Sequence, residues 1–152
     1  MERAEFPGTL RSTSAVTAAS CARAFRAGRR IGELEIALRI VKLQEILCLD
    51  LGDKDDLQRS YGNQALILRA WGRLKEAFVL RKKEEAICLE LGNKDSLQHS
   101  YGNQALILKT WGRLKEAFEL LKKQEALCLE LGNRSSLGLL LLELGAARAR
   151  AA

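Results

Sequence analysis

The sequence predicts an all-α protein, built as a right-handed α-solenoid of antiparallel helix pairs, and three observations lead to that prediction. Residues 53–92 and 93–132 are near-copies that differ at nine of forty positions, which indicates that a complete structural unit has been duplicated. Leu, Ala, Glu, Lys and Arg, all good helix formers, dominate the chain, and its single proline is Pro7. Glycines recur where the helices of a repeating pair are expected to end.

The chain contains about three and a half such units, because weaker copies flank the near-identical pair. Residues 31–152 are therefore predicted to form one repeat domain. Its units are 31–52, 53–92, 93–132 and a half-unit at 133–150. Residues 1–30 form either a basic N-terminal arm or a degenerate first helix. Neighbouring units are expected to stack on one another, because stacking is what buries the apolar face of each unit.

Each unit is predicted to contain two helices separated by a glycine. The first helix presents one face of apolar or small residues at helical spacing, formed by Leu57, Tyr61, Ala65 and Leu68. Asp55 or Asp56 is its predicted N-cap, and Gly72 is predicted to end it. The second helix is predicted to run from about Leu74 to Leu91 and to stop at the following Gly-Asn pair, since both residue types adopt the left-handed conformation readily.

The positive charge of the chain is concentrated before residue 31. The net charge is +6, and residues 1–30 hold six Arg and two Glu. Nucleic-acid binding through this arm is therefore one alternative function. Organellar targeting is a second role for the arm, although Glu2 and Glu5 depart from the pattern of a transit peptide. No apolar run reaches the roughly 18–20 residues that span a bilayer, so we expect a cytoplasmic protein without membrane insertion.

The unit resembles a tetratricopeptide repeat (TPR), in the variety of about forty residues found in kinesin light chains and in Leu-Gly-Asn-type scaffolds. An aromatic residue early in the first helix, a small residue one turn later, a glycine between the helices and an alanine five residues further on carry the resemblance. These residues are Tyr61 and Tyr101, Ala65 and Ala105, Gly32, Gly72 and Gly112, and Ala37, Ala77 and Ala117. The resemblance covers about residues 31–150 and implies a solenoid that binds partner proteins rather than an enzyme.

Two polar positions depart from the pattern of the family. Gln64 and Gln104 stand where the first helix usually carries Leu, and Glu84 and Gln124 stand where the second helix usually carries an apolar residue. A buried polar group is costly unless it is hydrogen-bonded. We therefore predict that Gln64 bonds Glu84 and that Gln104 bonds Gln124, each across the hairpin of one unit.

No residue pattern in the chain indicates catalysis, a cofactor or a metal site. Cys48, Cys88 and Cys128 occupy the same place in successive units, where helix spacing is too wide for a shared metal ion or a disulfide. We interpret them as small buried residues. His99 is the only histidine, and Arg59 replaces it in the other copy. It has no neighbouring motif that would make it a catalytic base, so we expect a solvent-facing, variable position.

Three further features have structural interpretations. The charged run at 81–85, "RKKEE", is interpreted as a solvated helix surface. Trp71 and Trp111 either cover the end of each hairpin or present a flat surface to a ligand. Gly62 and Gly102 lie inside predicted helices, where glycine costs roughly 1 kcal/mol relative to alanine. Either a neighbouring helix approaches closely there, or the glycines leave room for the backbone of a ligand.

The resemblance implies a concave groove, lined by the first helices of successive units, that holds a partner peptide. Its residues in this chain are Arg59, Gly62, Asn63, Leu66, Arg69 and Ala70, followed by His99, Gly102, Asn103, Leu106, Lys109 and Thr110. Asn63 and Asn103 match an asparagine that several relatives use to bond a peptide backbone. A second asparagine of that clamp is replaced by Leu66 and Leu106. The basic residues favour an acidic protein or peptide as partner.

The end of the sequence suggests a further alternative. The segment 138–145, "GLLLLELG", places leucine on almost every side of a predicted helix. Large exposed apolar patches mark interfaces. Either the protein associates with itself through this segment, or the chain is a shortened array whose continuation has been lost.

Overall fold

The computed structural model of the chain describes residues 31–133 together with Leu142, Gly145, Ala146 and Ala149. Residues 31–133 form five α-helices joined by short turns, and they contain no strand. The helices are α1 (Ile31–Leu51), α2 (Lys54–Ala70), α3 (Leu74–Leu91), α4 (Lys94–Thr110) and α5 (Leu114–Glu130). The predicted all-α repeat fold is confirmed. The N-terminal arm and most of the half-unit at 133–150 lie outside the described residues.

The helices α2 and α4 begin at side-chain caps. Asp53 Oδ1 accepts a hydrogen bond from the backbone N–H of Asp56 at 3.0 Å. Asn93 Oδ1 accepts the equivalent bond from Ser96 at 3.0 Å. Such caps satisfy backbone donors that have no partner within the helix. The predicted N-cap, Asp55 or Asp56, is wrong by two or three residues, because both of these carboxylates lie in the first turn of α2.

Glycines end the helices as predicted, with one exception. Gly72 has φ 81° and Gly92 has φ 65°, both in the left-handed region that ends many helices. The N–H of Asn93, beyond Gly92, returns to the carbonyl of Cys88 at 2.9 Å, which closes the end of α3. Gly32 was predicted as the corresponding turn glycine of the first unit, but it lies within α1.

The described residues divide into two compact units, 31–77 and 78–133. In the first unit, α1 packs against α2. The buried side chains of α1 include Leu34, Ala37, Leu38, Val41 and Cys48. Those of α2 include the predicted face of Leu57, Tyr61, Ala65 and Leu68. The helical periodicity of the sequence therefore predicted the buried side of α2 correctly.

In the second unit, α4 packs against α5 around one apolar cluster. Its buried members are Cys88, Leu97, Tyr101, Ala105, Leu108, Ala117, Leu120 and Leu121. Phe78, Trp111 and Leu127 are partly buried against it. The rings of Phe78 and Trp111 lie 5.3 Å apart at 56°, a tilted contact between aromatic side chains. Trp111 therefore packs against the apolar cluster, which favours the first of its two interpretations, a packing role.

A buried polar network, which we call the polar seam, recurs in both units. Gln64 Nε2 donates to Glu45 Oε2 at 2.6 Å, and Ser60 Oγ donates to the carbonyl of Val41 at 3.0 Å. The seam of the second unit has the same arrangement forty residues later. Gln104 Nε2 donates to Glu85 Oε2 at 2.8 Å, and Ser100 Oγ donates to the carbonyl of Arg81 at 3.2 Å.

The predicted partners of the two glutamines are therefore wrong. Gln64 was predicted to bond Glu84 and bonds Glu45, and Gln104 was predicted to bond Gln124 and bonds Glu85. In both cases the partner lies 19 residues earlier in the chain, on the helix that precedes the glutamine. The underlying expectation, that these buried amides have hydrogen-bond partners, is confirmed for their N–H groups.

The charged run at 81–85 is only partly a solvated surface. Lys82 and Lys83 are exposed, as predicted, but Arg81 and Glu84 are buried. Arg81 Nη1 donates to Glu84 Oε2 at 2.8 Å, with side chains 5% and 9% exposed. At the corresponding positions, the flanking copies carry Val41 with Gln44, and Leu121 with Gln124. The ion pair is thus specific to the middle copy.

The structure accounts for the helical glycine of the second unit by a side chain of the following helix, which lies against it. A Cβ atom on Gly102 would lie 2.8 Å from Gln124 Oε1 and 3.0 Å from Gln124 Nε2. The end of the Gln124 side chain, on α5, therefore lies in the space beside Gly102 and would have to shift to admit a larger residue there. Gly62, at the same position of α2, is buried.

We expect the double variant Gly102→Ala with Gln124→Ala to have a free energy of unfolding about 1 kcal/mol higher than that of Gln124→Ala alone. The double change gains the helix preference of alanine over glycine, roughly 1 kcal/mol, and removes the side chain that would clash. Urea unfolding followed by circular dichroism measures the effect, with Gln124→Ala alone as the control. A double variant less stable than this control would show that glycine is needed at position 102 for another reason.

Candidate partner-binding surface

The twelve residues predicted to line a groove, which we call the candidate partner face, fall on α2 and α4. Within each helix, the six residues lie on one side, at spacings of three, four and seven residues. On α2, Arg59 and Ala70 are exposed, Asn63, Leu66 and Arg69 are half-buried, and Gly62 is buried. On α4, His99, Leu106 and Thr110 are exposed, and Gly102, Asn103 and Lys109 are half-buried. The two halves belong to different compact units.

The α2 half of the face is basic at its first residue. Arg59 Nη1 donates to Asp56 Oδ1 at 3.0 Å, while 60% of the arginine side chain stays exposed. An exposed pair of this kind contributes little to stability. Arg59 can therefore exchange Asp56 for an anionic group of a partner at low cost.

The α4 half of the face is held in place by its own helix. Asn103 Nδ2 donates to the carbonyl of His99 at 2.8 Å, and Thr110 Oγ1 donates to the carbonyl of Leu106 at 3.0 Å. These bonds between side chain and backbone, four residues apart, orient the amide and the hydroxyl along the helix. Leu106 is exposed beside them, so the face combines an apolar centre with polar groups.

His99 is exposed on α4, as predicted for a solvent-facing position. The corresponding residue of α2, Arg59, is exposed as well. No group of three or more His, Cys, Asp or Glu residues that could hold a metal ion occurs in the part of the chain that the structure describes.

The three cysteines of the repeats are buried, and the predicted interpretation is confirmed. Burial is the main cause that raises the pKa of each thiol, and it raises the pKa of Cys88 to about 12, with the carboxylate of Glu84 adding to the effect. Cys128 Sγ donates to Gln98 Oε1 at 2.8 Å inside the second unit. Thiols held in the protonated form are poor nucleophiles, so these cysteines pack rather than react.

Among residues 31–133 and the four described positions beyond them, no helix is both long and apolar enough to cross a membrane. Of the apolar segment at 138–145, only Leu142 and Gly145 are described, and Leu142 is exposed. The remainder of that predicted self-association surface lies outside the described residues.

The described helices define an α-helical repeat protein, and comparison with solved structures identifies the type of repeat. The chain is similar to the crystal structure of nearly identical TPR-like repeats from a putative kinesin light chain of Podosopora anserina. The TM-score is 0.71 at 21% identity, over 94% of this chain and 67% of that chain. A singly substituted form of the same protein gives a TM-score of 0.71 at 20% identity, over 95% of this chain and 68% of that chain. No family model and no curated protein sequence matches the chain.

The fold is therefore of the TPR type. The sequence resemblance predicted this fold, and the structural similarity confirms it. At 20–21% identity, the similarity shows the fold alone.

Proposed function

We propose that this protein is a non-enzymatic, cytoplasmic scaffold that binds a segment of a partner protein through the candidate partner face. The proposal rests on which positions of this face are identical in the two copies and which positions differ. Gly, Asn and Leu recur unchanged at three positions in α2 and in α4. The three remaining positions vary, and they are Arg59/His99, Arg69/Lys109 and Ala70/Thr110.

This pattern suits a surface that binds extended peptide. An asparagine amide offers two N–H donors and one carbonyl acceptor, so Asn63 and Asn103 can bond a peptide backbone whatever its side chains are. Leu66 and Leu106 add apolar contact area beside the amides. The variable positions include two basic residues in α2, Arg59 and Arg69, and Lys109 in α4. They would select an acidic partner segment.

The test is partner capture by a face variant and by a matched control. The face variant combines Asn63→Ala, Asn103→Ala, Arg69→Ala and Lys109→Ala, which removes two positive charges. The control is Lys75→Ala with Lys115→Ala, which removes the same charge from exposed positions of α3 and α5. We expect the face variant to lose the proteins that the wild type and the control capture, with unchanged helicity by circular dichroism. Equal capture by all three proteins would refute the proposal.

A further inference from the structure

The helix α1 carries an exposed apolar surface, which we call the α1 outer face. Ile36, Leu43 and Ile46 form this face, and their exposed fractions are 61%, 62% and 55%. Their spacing of seven and three residues places them on one side of the helix. Exposed apolar side chains that lie together in this way mark surfaces that bind another molecule.

The other two copies of the repeat carry different residue types at the same three positions. The equivalents of Ile36 and Leu43 are charged, and the equivalent of Ile46 is alanine. They are Glu76, Lys83 and Ala86 in α3, and Glu116, Lys123 and Ala126 in α5. All six are exposed, and those of α5 stay exposed although α4 packs against that helix. The repeat fold therefore does not require apolar residues at these positions, and those of α1 are available for an intermolecular contact.

Two charged side chains lie in the same stripe of α1. Arg39 and Asp50 are exposed, and together with the apolar residues they form a series that alternates steps of three and four residues. This alternation is the spacing of the contact seam between two paired helices. Arg39 pairs with Glu35 at 2.8 Å, but 76% of the arginine side chain stays exposed. Such a pair contributes little to stability, so Arg39 can exchange Glu35 for the carboxylate of another molecule.

We propose that the α1 outer face binds the same face of a second copy of this chain, with the two α1 helices antiparallel. In this alignment, Leu43 of each chain contacts Ile46 of the other copy. Arg39 of each chain then pairs with Asp50 of the other copy, so two ion pairs flank the apolar centre. A surface that is complementary to itself in this way suits a two-fold symmetric contact. A parallel alignment would instead place like charges opposite each other.

The proposed contact is small, because a single helix face of each chain forms it. A standard protein interface buries about 800 Å² per partner, and small interfaces are typical of transient association. We therefore expect a reversible dimer with a dissociation constant on the order of 10 μM. The contact uses no residue of the candidate partner face, so it does not rest on the proposed function.

Analytical ultracentrifugation of the full chain, between roughly 1 and 200 μM, measures the association. The α1 variant carries Leu43→Lys and Ile46→Ala, which are the residues that α3 and α5 have at these positions. The control is Leu49→Lys, because Leu49 is also exposed on α1 but lies outside the stripe. We expect the wild type and the control to dimerise, and the α1 variant to dimerise at least tenfold more weakly, with equal helicity by circular dichroism.

Three results of this measurement would overturn the proposal. A wild type that stays monomeric over the whole range would leave the α1 outer face to a different molecule. Equal dimerisation of the wild type, the control and the α1 variant would place the contact elsewhere, for example in the segment 138–145. A wild-type assembly larger than a dimer would exclude the two-fold arrangement.

A charge exchange tests the antiparallel alignment. Arg39→Asp alone places two carboxylates opposite each other at both ends of the contact, and Asp50→Arg alone does the same with two guanidinium groups. We expect each variant alone to dimerise at least tenfold more weakly than the wild type, and the equimolar mixture to form a heterodimer of about the wild-type affinity. In a parallel pair, each single change would only exchange one repulsion for another. Single variants that dimerise as tightly as the wild type, or a mixture that does not recover, would overturn the alignment.

Discussion

Replacing Arg81 with Leu alone is expected to lower the free energy of unfolding by about 3–5 kcal/mol. Arg81 and Glu84 form an ion pair at 2.8 Å, and both residues are buried. Removing the arginine leaves a buried carboxylate without its counter-charge, which is costly at such a site. The double variant Arg81→Leu with Glu84→Gln should instead lie within about 1 kcal/mol of the wild type, because replacing a buried pair by well-packed uncharged residues is often neutral.

The chain itself supplies the replacement residues and the control. Leu121 and Gln124 occupy the same two positions in the next copy of the repeat, so the double variant restores a combination that this fold already accommodates. Arg73→Leu is the control, because Arg73 pairs with Glu76 at the same spacing and about half of each side chain is exposed. We expect it to cost less than about 1 kcal/mol. Urea unfolding that shows equal losses for Arg81→Leu and for the double variant would contradict this account.

The helices could be predicted because their signals are local. Four residues at helical spacing in α2 were predicted to share a face, and all four are buried. Gly72 and Gly92 were predicted to end helices, and both have positive φ. Gly32 shows the limit of this argument, since a glycine in the same place of the repeat lies within α1.

The sequence did not predict the buried ion pair of Arg81 and Glu84, because charged residues are usually expected on the surface of a protein. Arg81 and Glu84 lie in a run of five charged residues, and two members of that run are exposed lysines. The signal that could have revealed the pair is the comparison between copies. Val41 and Leu121 stand at the position of Arg81, and an apolar residue at the same place in two of three copies indicates a buried site.

The hydrogen-bond partners of Gln64 and Gln104 were predicted wrongly because a helix in a stack of repeats can contact either the helix before it or the helix after it. The polar positions were correctly recognised as facing another helix, but periodicity within one unit does not tell which helix that is. The constant separation of 19 residues between Glu45 and Gln64, and between Glu85 and Gln104, shows that the preceding helix is the partner. The candidate partner face, by contrast, was derived from resemblance to a family, and its role stays a prediction.

Replacing Glu85 with Leu is the second change for which we expect a large effect, a loss of about 1–3 kcal/mol. Gln104 is fully buried, and the carboxylate of Glu85 is the acceptor of its amide at 2.8 Å. Without Glu85, the amide keeps only a 3.4 Å contact with Ser100 Oγ. Gln104 Oε1 already has no hydrogen-bond partner among the described residues. A buried donor that loses its acceptor costs its full desolvation penalty.

The double variant Glu85→Leu with Gln104→Leu should recover most of that loss, because it removes donor, acceptor and the unpaired oxygen together. Glu45→Leu provides the matched test in the first unit, where Gln64 donates to Glu45 at 2.6 Å. We expect it to cost at least as much, because the hydroxyl of Tyr61 also bonds Glu45, and that bond adds to burial in raising the pKa of Tyr61. Urea unfolding could instead show the double variant to be less stable than Glu85→Leu alone. That result would mean that the side chain of Gln104 stabilises the repeat by packing and not by its hydrogen bonds.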